Sequence, residues 1–307
     1  MIKVVPYDAN WQMMYEIEAS RIVDALGDNC LAIFHIGSTS VPGLSAKPII
    51  DILPVVEDIC KVKNESMEQL GYTAKGENGI AFRRYFQLPA FNVHIYEEGD
   101  SEIWRYLKFR DWLRTHDEDA QQYAKLKMEL AAKYPDNILQ YCMGKDEFVA
   151  SIDAKNGFEG RRLVQALTDR EWQAVKRMRI ENFFEGKEDP FAATFNHKDH
   201  VHFVLYQNAQ IVGYAHLQLW PDQRAVMRML IIDKPHRKKH LGRVLVKLCE
   251  RWLSHQDFKQ ILIQCPKVFH EFYKNLGYTY MPSNDPEGHA TLLQDIELGK
   301  YLLSKNY

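Results

Sequence analysis

An apolar, strand-like run that ends in a basic turn and passes straight into an amphipathic helix limits this chain more than any other feature. Residues 229–245 read M-L-I-I-D-K-P-H-R-K-K-H-L-G-R-V-L. A strand feeding a helix in this way belongs to an α/β fold. The helix start presents unpaired backbone N–H groups and the positive end of its dipole, and Arg237, Lys238, Lys239 and Arg243 add mobile positive charge. The ligand that suits such a turn is a polyanion.

At 307 residues the chain exceeds what one hydrophobic core usually organises, so two domains are expected. A net charge of −2 leaves the basic stripe from His236 to His240 as the only dense one, which argues against a nucleic-acid partner. The five cysteines, Cys30, Cys60, Cys142, Cys249 and Cys265, are scattered, without metal-ligand or C-x-x-C spacing, as in reduced cytoplasmic proteins. No apolar run approaches the roughly 18–20 residues of a bilayer span, and residues 1–11 do not read as a signal peptide. The expectation is a cytoplasmic protein with no membrane partner and an oligomeric state the sequence leaves open.

Apolar spacing predicts a helix over residues 11–26, strands over 31–36 and 49–56, and a hairpin of 80–87 with 91–96. Helices follow over 102–115, capped by Ser101, over 118–133, and over 145–155. Turn residues at 156–160 mark a domain junction, and Thr168 to Glu171 opens a new helix as a capping box. Beyond it, strands are expected over 201–206, 211–219, 225–232 and 260–264, with helices over 242–255 and 267–276.

The loop above, with F-Y-K-N-L-G-Y at residues 272–278, resembles the GNAT (GCN5-related N-acetyltransferase) family of acetyl-CoA-dependent enzymes. Arg237, His240 and Gly242 occupy the defining places of the family's R/Q-x-x-G-x-G/A loop, with His240 replacing the first glycine. The resemblance implies that the backbone of Leu230, Ile231 and Ile232 pairs with the pantetheine arm of acetyl-CoA. It also implies that Arg237, Lys238, Lys239, His240, Leu241, Gly242 and Arg243 hold the pyrophosphate.

Acetyl transfer to an amine needs a base for the ammonium proton, donors for the oxyanion and an acid for the departing thiolate. Tyr273 matches the family position whose hydroxyl commonly serves as the acid. His216 is the best base by intrinsic pKa, on a strand expected to border the acceptor cleft, with Glu271, His270, Asp222 or a water relay as alternatives. Taken singly, three cations read as a solvated turn, Tyr273 as a core aromatic and His216 as an ordinary strand residue. The surrounding strand, glycine and helix shift the first reading toward function, and the F-Y-x-x-x-G-Y context shifts the second.

A second glycine- and hydroxyl-rich loop, H-I-G-S-T-S-V-P-G-L-S-A-K-P-I-I-D-I at residues 35–52, lies between two apolar strands. With N-V-H-I at 92–95 and F-R-D-W-L-R at 109–114, it looks like the GrpB family, a branch of the nucleotidyltransferase superfold. That likeness implies nucleotide binding by Gly37, Ser38, Lys47 and Asp51, with Asp51 as a ligand for Mg²⁺ beside a nucleoside triphosphate. Nucleotidyl transfer normally uses two carboxylates one residue apart, and here the second place is Leu53. A pocket that binds a nucleotide or phosphate without transfer stands beside the catalytic reading.

The expectation is therefore an α/β (α+β) protein of two domains. Residues 1–157 form a nucleotidyltransferase-like mixed sheet with helices, and residues 162–307 a GNAT fold with a central mixed sheet flanked by helices. Its expected activity is acetyl-CoA-dependent N-acetylation of a small-molecule or peptide amine. The alternatives are a nucleotidyltransferase with a regulatory CoA-binding domain and a non-catalytic ligand sensor.

Overall fold

The spacing of residues 11–26 produces a helix, α1 (Asn10–Leu26), that buries Trp11, Ala19 and Ile22. Trp11 and Ile22 pack against Ile50, Ile52, Val93 and Ile95 of the first sheet. The computed structural model describes residues 1–286 and 295–302, and the chain divides into two units. One is Met1–Arg162 with Gln207–Ala209, and the other is Leu163–Tyr206 with Gln210–Tyr307. Residues 287–294 and 303–307 of the expected second domain lie outside the described residues.

The first unit carries strands β1 (Cys30–Ile36), β2 (Ile50–Val56), β3 (Thr73–Ala74), β4 (Arg84–Leu88) and β5 (Phe91–Glu97), in sheet order β1-β2-β5-β4-β3. β2 runs antiparallel to β1 and parallel to β5, so the sheet is mixed. Helices α2 (Asn64–Glu68), α3 (Ser101–Thr115), α4 (Asp117–Lys133), α5 (Ile138–Met143) and α6 (Asp146–Lys155) complete it. The two-residue period of a strand sorts β2 into two faces. Ile50, Ile52 and Val56 join the α1 core, whereas Leu53 and Val55 pack with Tyr96, Ile103 and Leu107 on the α3 side. Asp51 shares that second face, and its register partners are Ile36 on β1 and Asn92 on β5.

Two local expectations are corrected here. The cap of α3 is Asp100, whose carboxylate accepts from the Glu102 N–H at 2.9 Å, while Ser101 Oγ donates instead to the Arg161 carbonyl. The strand expected from residue 80 begins only at Arg84. Glu77 accepts from the Phe82 N–H at 2.7 Å, Phe82 has φ 70°, and this turn aims Arg83 inward.

The second unit holds the sheet β11-β12-β10-β9-β8-β7-β6. Its strands are β6 (Arg161–Gln165), β7 (His200–Gln207), β8 (Gln210–Leu219), β9 (Arg224–Ile232), β10 (Gln260–Pro266), β11 (Thr279–Tyr280) and β12 (Asp295–Tyr301). β8 and β9 are antiparallel, β9 and β10 parallel, and β10 and β12 antiparallel. Helix α7 (Asp169–Phe183) starts at the expected capping box, with Thr168 and Glu171 bonding each other's backbone. Helix α8 (Leu241–His255) buries Leu241, Leu245, Val246, Cys249, Trp252 and Leu253, the i, i+4, i+8 stripe of an amphipathic helix. In place of one helix over 267–276, Lys267–Phe269 is a 3₁₀ turn and α9 spans only His270–Lys274. Among the described residues no helix is long and apolar enough to cross a membrane.

Candidate functional site

The second unit opens where two strands part. β9 and β10 pair only from Arg224 with Gln260 to Met227 with Ile263, although both strands continue further. On its other side β9 stays paired, Leu230 with Ala215, Ile231 with Tyr214 and Ile232 with Gly213. The β9 edge facing β10 beyond Met227 therefore offers backbone donors and acceptors to an extended ligand. A cavity of about 210 Å³ occupies the gap, walled by Arg228, Met229 and Leu230, by Gln264, Cys265 and Pro266, and by Phe269, Phe272 and Tyr273.

The basic turn lies between the end of β9 and the start of α8. Arg237 folds back on it, donating from Nε to the Ile232 carbonyl at 2.9 Å and from a terminal nitrogen to Asn182 Oδ1 at 2.6 Å. It thereby braces the loop, and Lys238, Lys239 and Arg243 stand exposed around it. His240 is the N-cap of α8, but its side chain makes no capping bond, so the first N–H groups of the helix lack that partner. Leu241 is buried, whereas Gly242 stacks its Cα near Phe272, where an added Cβ would make only ordinary contact.

His240 resolves the departure at the family's first glycine: it adopts φ 58°, ψ 10°, the left-handed conformation that glycine takes freely. The loop keeps the glycine geometry with a histidine in it, at a backbone cost of roughly 1–2 kcal/mol. His240→Gly removes that strain but frees the unfolded chain, which returns part of the gain. The expected outcome is a net stabilisation of about 0.5–1 kcal/mol in urea unfolding. A loss of more than that amount would show that the imidazole holds the loop.

Tyr273, on α9, lies on the cleft wall, with 6% of its surface exposed. Burial, with Cys265 and Cys249 nearby, raises its phenol above the ordinary value, so it stays protonated. His216 is not on this wall. It is 3% exposed, with Nε2 at 2.7 Å from His200 Nδ1, Nδ1 at 3.5 Å from an Arg179 nitrogen, and its ring stacked on His202 at 4.3 Å. Burial and these neighbours hold it far below the ordinary imidazole value. A general base must reach the proton it removes, and His216 is enclosed. The other candidates also lie off the cleft wall: Glu271 pairs with His270 and Lys274 in solvent, and Asp222 with Arg224.

The first unit has its own cavity, of about 450 Å³. Gly37, Ser38, Lys47 and Asp51 all line it, so the loop after β1 and the start of β2 converge as the sequence suggested. Two arginines of the 109–114 motif fasten that loop from α3. Arg110 donates to the His35 carbonyl at 3.0 Å, and Arg114 donates twice to the Ser40 carbonyl, at 2.7 and 3.1 Å. Gly37 has φ 70°, and an added Cβ there would overlap Asp51 Oδ2, so no larger residue fits. His35 packs away from the cavity chemistry, stacked on Tyr15 and bonded to Thr39 at 3.0 Å, and burial lowers its pKa to about 4.

Asp51 accepts from Asn92 Nδ2 at 2.9 Å and faces His94 Nε2 at 3.4 Å; His94 in turn meets Arg83 at 3.3 Å. Because Arg83 is only a donor, His94 Nδ1 accepts and its Nε2–H points to Asp51. Burial would raise the Asp51 carboxyl, but the His94 and Asn92 contacts outweigh it and hold it below the ordinary range. The expected Mg²⁺ does not fit these donors. Leu53 is wholly buried in the α3 core, Asn92 turns its amide nitrogen to Asp51, and Arg83 lies beyond His94. Among the described residues no three His, Cys, Asp or Glu side chains converge as a metal would require.

Sequence reasoning named Lys47 but missed the other two lysines opposite Asp51, Lys127 and Lys145. Lys127 of α4 is 2% exposed, donates to the Ser45 carbonyl and lies 4.6 Å from the Tyr123 ring centroid. Lys145 and Lys47 approach the Tyr141 ring from 4.8 and 5.0 Å. The available signal was a lysine within the apolar stripe of α4, where Tyr123, Lys127, Leu130 and Ala131 are all buried.

Two mixed sheets, one bearing a cation-lined cavity and the other a splayed edge beside a basic helix start, define a two-domain α/β protein with a transferase-like second unit. The GrpB protein family model matches residues 1–155, and the acetyltransferase (GNAT) family model matches residues 160–278. The chain belongs to the GrpB family and carries a GNAT acetyltransferase domain, which supports an acetyltransferase-type function. The UPF0157 protein YqkA of Bacillus subtilis is 46% identical over 168 residues, covering 52% of this chain and 49% of that protein. The chain thus matches about half the length of that relative. The conserved protein GrpB from Enterococcus faecalis, a solved structure, is 42% identical over 50% of this chain and 96% of that one, with a TM-score of 0.48. An aminoglycoside 6'-N-acetyltransferase complexed with coenzyme A is 13% identical over 47% of this chain and 99% of that one, with a TM-score of 0.39.

Proposed function

We propose that the protein transfers the acetyl group of acetyl-CoA to an amine of a small molecule or peptide in the cytoplasm. The observation that carries this reading is the unpaired β9 edge beyond Met227, which leads directly to the uncapped N-terminus of α8. An amide-bearing pantetheine arm suits that edge, with Leu230, Ile231 and Ile232 supplying backbone partners. The N–H groups of Leu241, Gly242 and Arg243 suit a pyrophosphate, and Lys238, Lys239 and Arg243 add charge-assisted contacts. Arg237 serves by fixing the loop to Ile232 and Asn182.

Acetyl-CoA supplies a thioester for the amine to attack. Tyr273 holds a phenolic proton at the cleft wall, in position to be given to a departing thiolate. Among the described residues the side chains lining the cleft include no histidine and no carboxylate, which favours loss of the amine proton to water over a dedicated base. The substrate is an amine and not a nucleic acid, since the basic turn is small and the net charge is −2.

Saturating acetyl-CoA should raise the melting temperature of the full chain, because a ligand at 100 times its Kd stabilises the native state by about 2.7 kcal/mol. The double variant Lys239→Glu/Arg243→Glu should lose most of that shift. An amine panel read by thiol release and product mass should then yield at least one acetylated acceptor. Absence of both a shift and thiol release would overturn the reading.

A further inference from the structure

The first unit's cavity is lined by more cations than anions: Lys47, Lys127, Lys145, Arg83 and Arg105 against Asp51, Asp146 and Asp153, of which Asp153 is paired with Arg105 at 2.7 Å. Lys47, Lys127 and Lys145 come from the loop before β2, from α4 and from the turn before α6, and all line the 450 Å³ cavity. Among the described residues none of the three lies within 4.0 Å of a carboxylate oxygen, and their recorded neighbours are aromatic faces and one backbone carbonyl. Lys127 is buried and Lys47 and Lys145 are half-buried, and a desolvated cation without an anion is costly to keep. Together around one space they make a site suited to negative charge.

We infer that this cavity binds a phosphate-bearing small molecule without a divalent metal, Lys47, Lys127 and Lys145 supplying the neutralising charge and Asp51 accepting a hydroxyl. Five cations against three carboxylates leave an excess of about two positive charges, which favours an anion larger than a chloride, and the volume falls in the range of ordinary small-molecule sites. The loop chemistry agrees: Ser38 and the Gly37 turn lie at the cavity wall, held from behind by Arg110 and Arg114. Asp51 has one oxygen engaged by Asn92 and His94, and no protein donor meets the other among the described residues. Tyr106, Phe109 and Tyr141 give an apolar wall for the organic part of a ligand. The state of Lys127 is consistent with this: burial and the nearby charge of Lys145 lower its pKa to about 7, and an arriving anion would favour its protonated form. The donor set that fails to hold Mg²⁺ is thus the donor set that holds phosphate directly.

The test is isothermal titration of the full chain with inorganic pyrophosphate and with ADP, each in EDTA and again in Mg²⁺. Saturable binding in EDTA that Mg²⁺ does not strengthen is expected. Lys145→Met should weaken it by about ten-fold or more, the effect of losing one charge-assisted contact. Because this variant removes a half-buried charge and keeps the side-chain length, folding should persist, which circular dichroism checks. The titrations are made in the Lys239→Glu/Arg243→Glu background, which removes the charge at the start of α8 in the other unit, and the Lys145-dependent binding should persist there. Tighter binding of ADP than of pyrophosphate assigns the aromatic wall to an organic group, and the reverse order assigns the site to an inorganic phosphate chain. Binding of neither probe, binding only with Mg²⁺, or binding unaffected by Lys145→Met overturns the inference. In that background none of these results depends on acetyl-CoA use by the second unit.

Discussion

Arg179→Ala is expected to remove a large part of the second unit's stability, about 3–5 kcal/mol. Arg179 is wholly buried and makes a two-pronged contact with Asp189, Nε to Oδ2 at 2.6 Å and a terminal nitrogen to Oδ1 at 3.1 Å. Its remaining nitrogen starts a directional chain. It donates to Tyr214 Oη at 2.9 Å, Tyr214 donates to His202 Nδ1 at 2.8 Å, and His202 Nε2–H donates to the Thr194 carbonyl at 3.1 Å. Burial holds His202 neutral, with a pKa of about 4, as this direction of donation requires. Removing the guanidinium leaves Asp189 without its counter-charge and the chain without its first donor, so the loss exceeds that of a single hydrogen bond. A fall of about 10 °C or more in the melting midpoint is expected. Replacing both partners, Arg179→Met with Asp189→Leu, should recover part of the loss, since no uncompensated charge then remains. A single variant within about 1 kcal/mol of the native protein would show that the pair is not a stability element.

This network also explains what sequence reasoning misplaced. His216 has a suitable intrinsic pKa and lies on a strand of the second sheet, but strand parity and neighbours decide whether a side chain reaches solvent. Here the partners are His200, His202 and Arg179, brought from β7 and α7. Nothing in a linear pattern announces that meeting. By contrast, the splayed-strand loop and the 35–52 loop were legible because each is local: strand, turn and helix start occur within about twenty residues. The capping box at Thr168 was legible for the same reason. Strands β6, β11 and β12 escaped because they are short or carry charges between their apolar residues, as in D-I-E-L-G-K-Y. Two of the three cavity lysines escaped for a different reason. Lys47 lies in the motif, whereas Lys127 arrives from α4 and Lys145 from the turn before α6, some 80 to 100 residues later, and only tertiary packing shows that they face Asp51.

Tyr273→Phe is expected to lower the turnover of acetyl transfer by about 10²–10⁴-fold, the usual worth of a positioned acid. Phenylalanine keeps the ring edge-on to Phe272 at 4.9 Å and to Tyr278 at 5.4 Å, so the packing of α9 should survive. The hydroxyl alone is lost, and the stabilisation by acetyl-CoA should remain because the loop and the β9 edge are untouched. The pH profile separates a proton donor from a packing residue. Burial raises the phenol above its usual value near 10, so native Tyr273 keeps its proton throughout the range from about pH 6 to 9. Any rise in rate across that range must come from deprotonation of the amine substrate, and it should persist with the same midpoint in the variant at a uniformly lower rate. If the variant turned over within two-fold of the native enzyme, the thiolate would be taking its proton from water and Tyr273 would serve only as a wall of the cleft. A changed midpoint would instead show that the phenol itself titrates in the native enzyme, contrary to the burial that surrounds it.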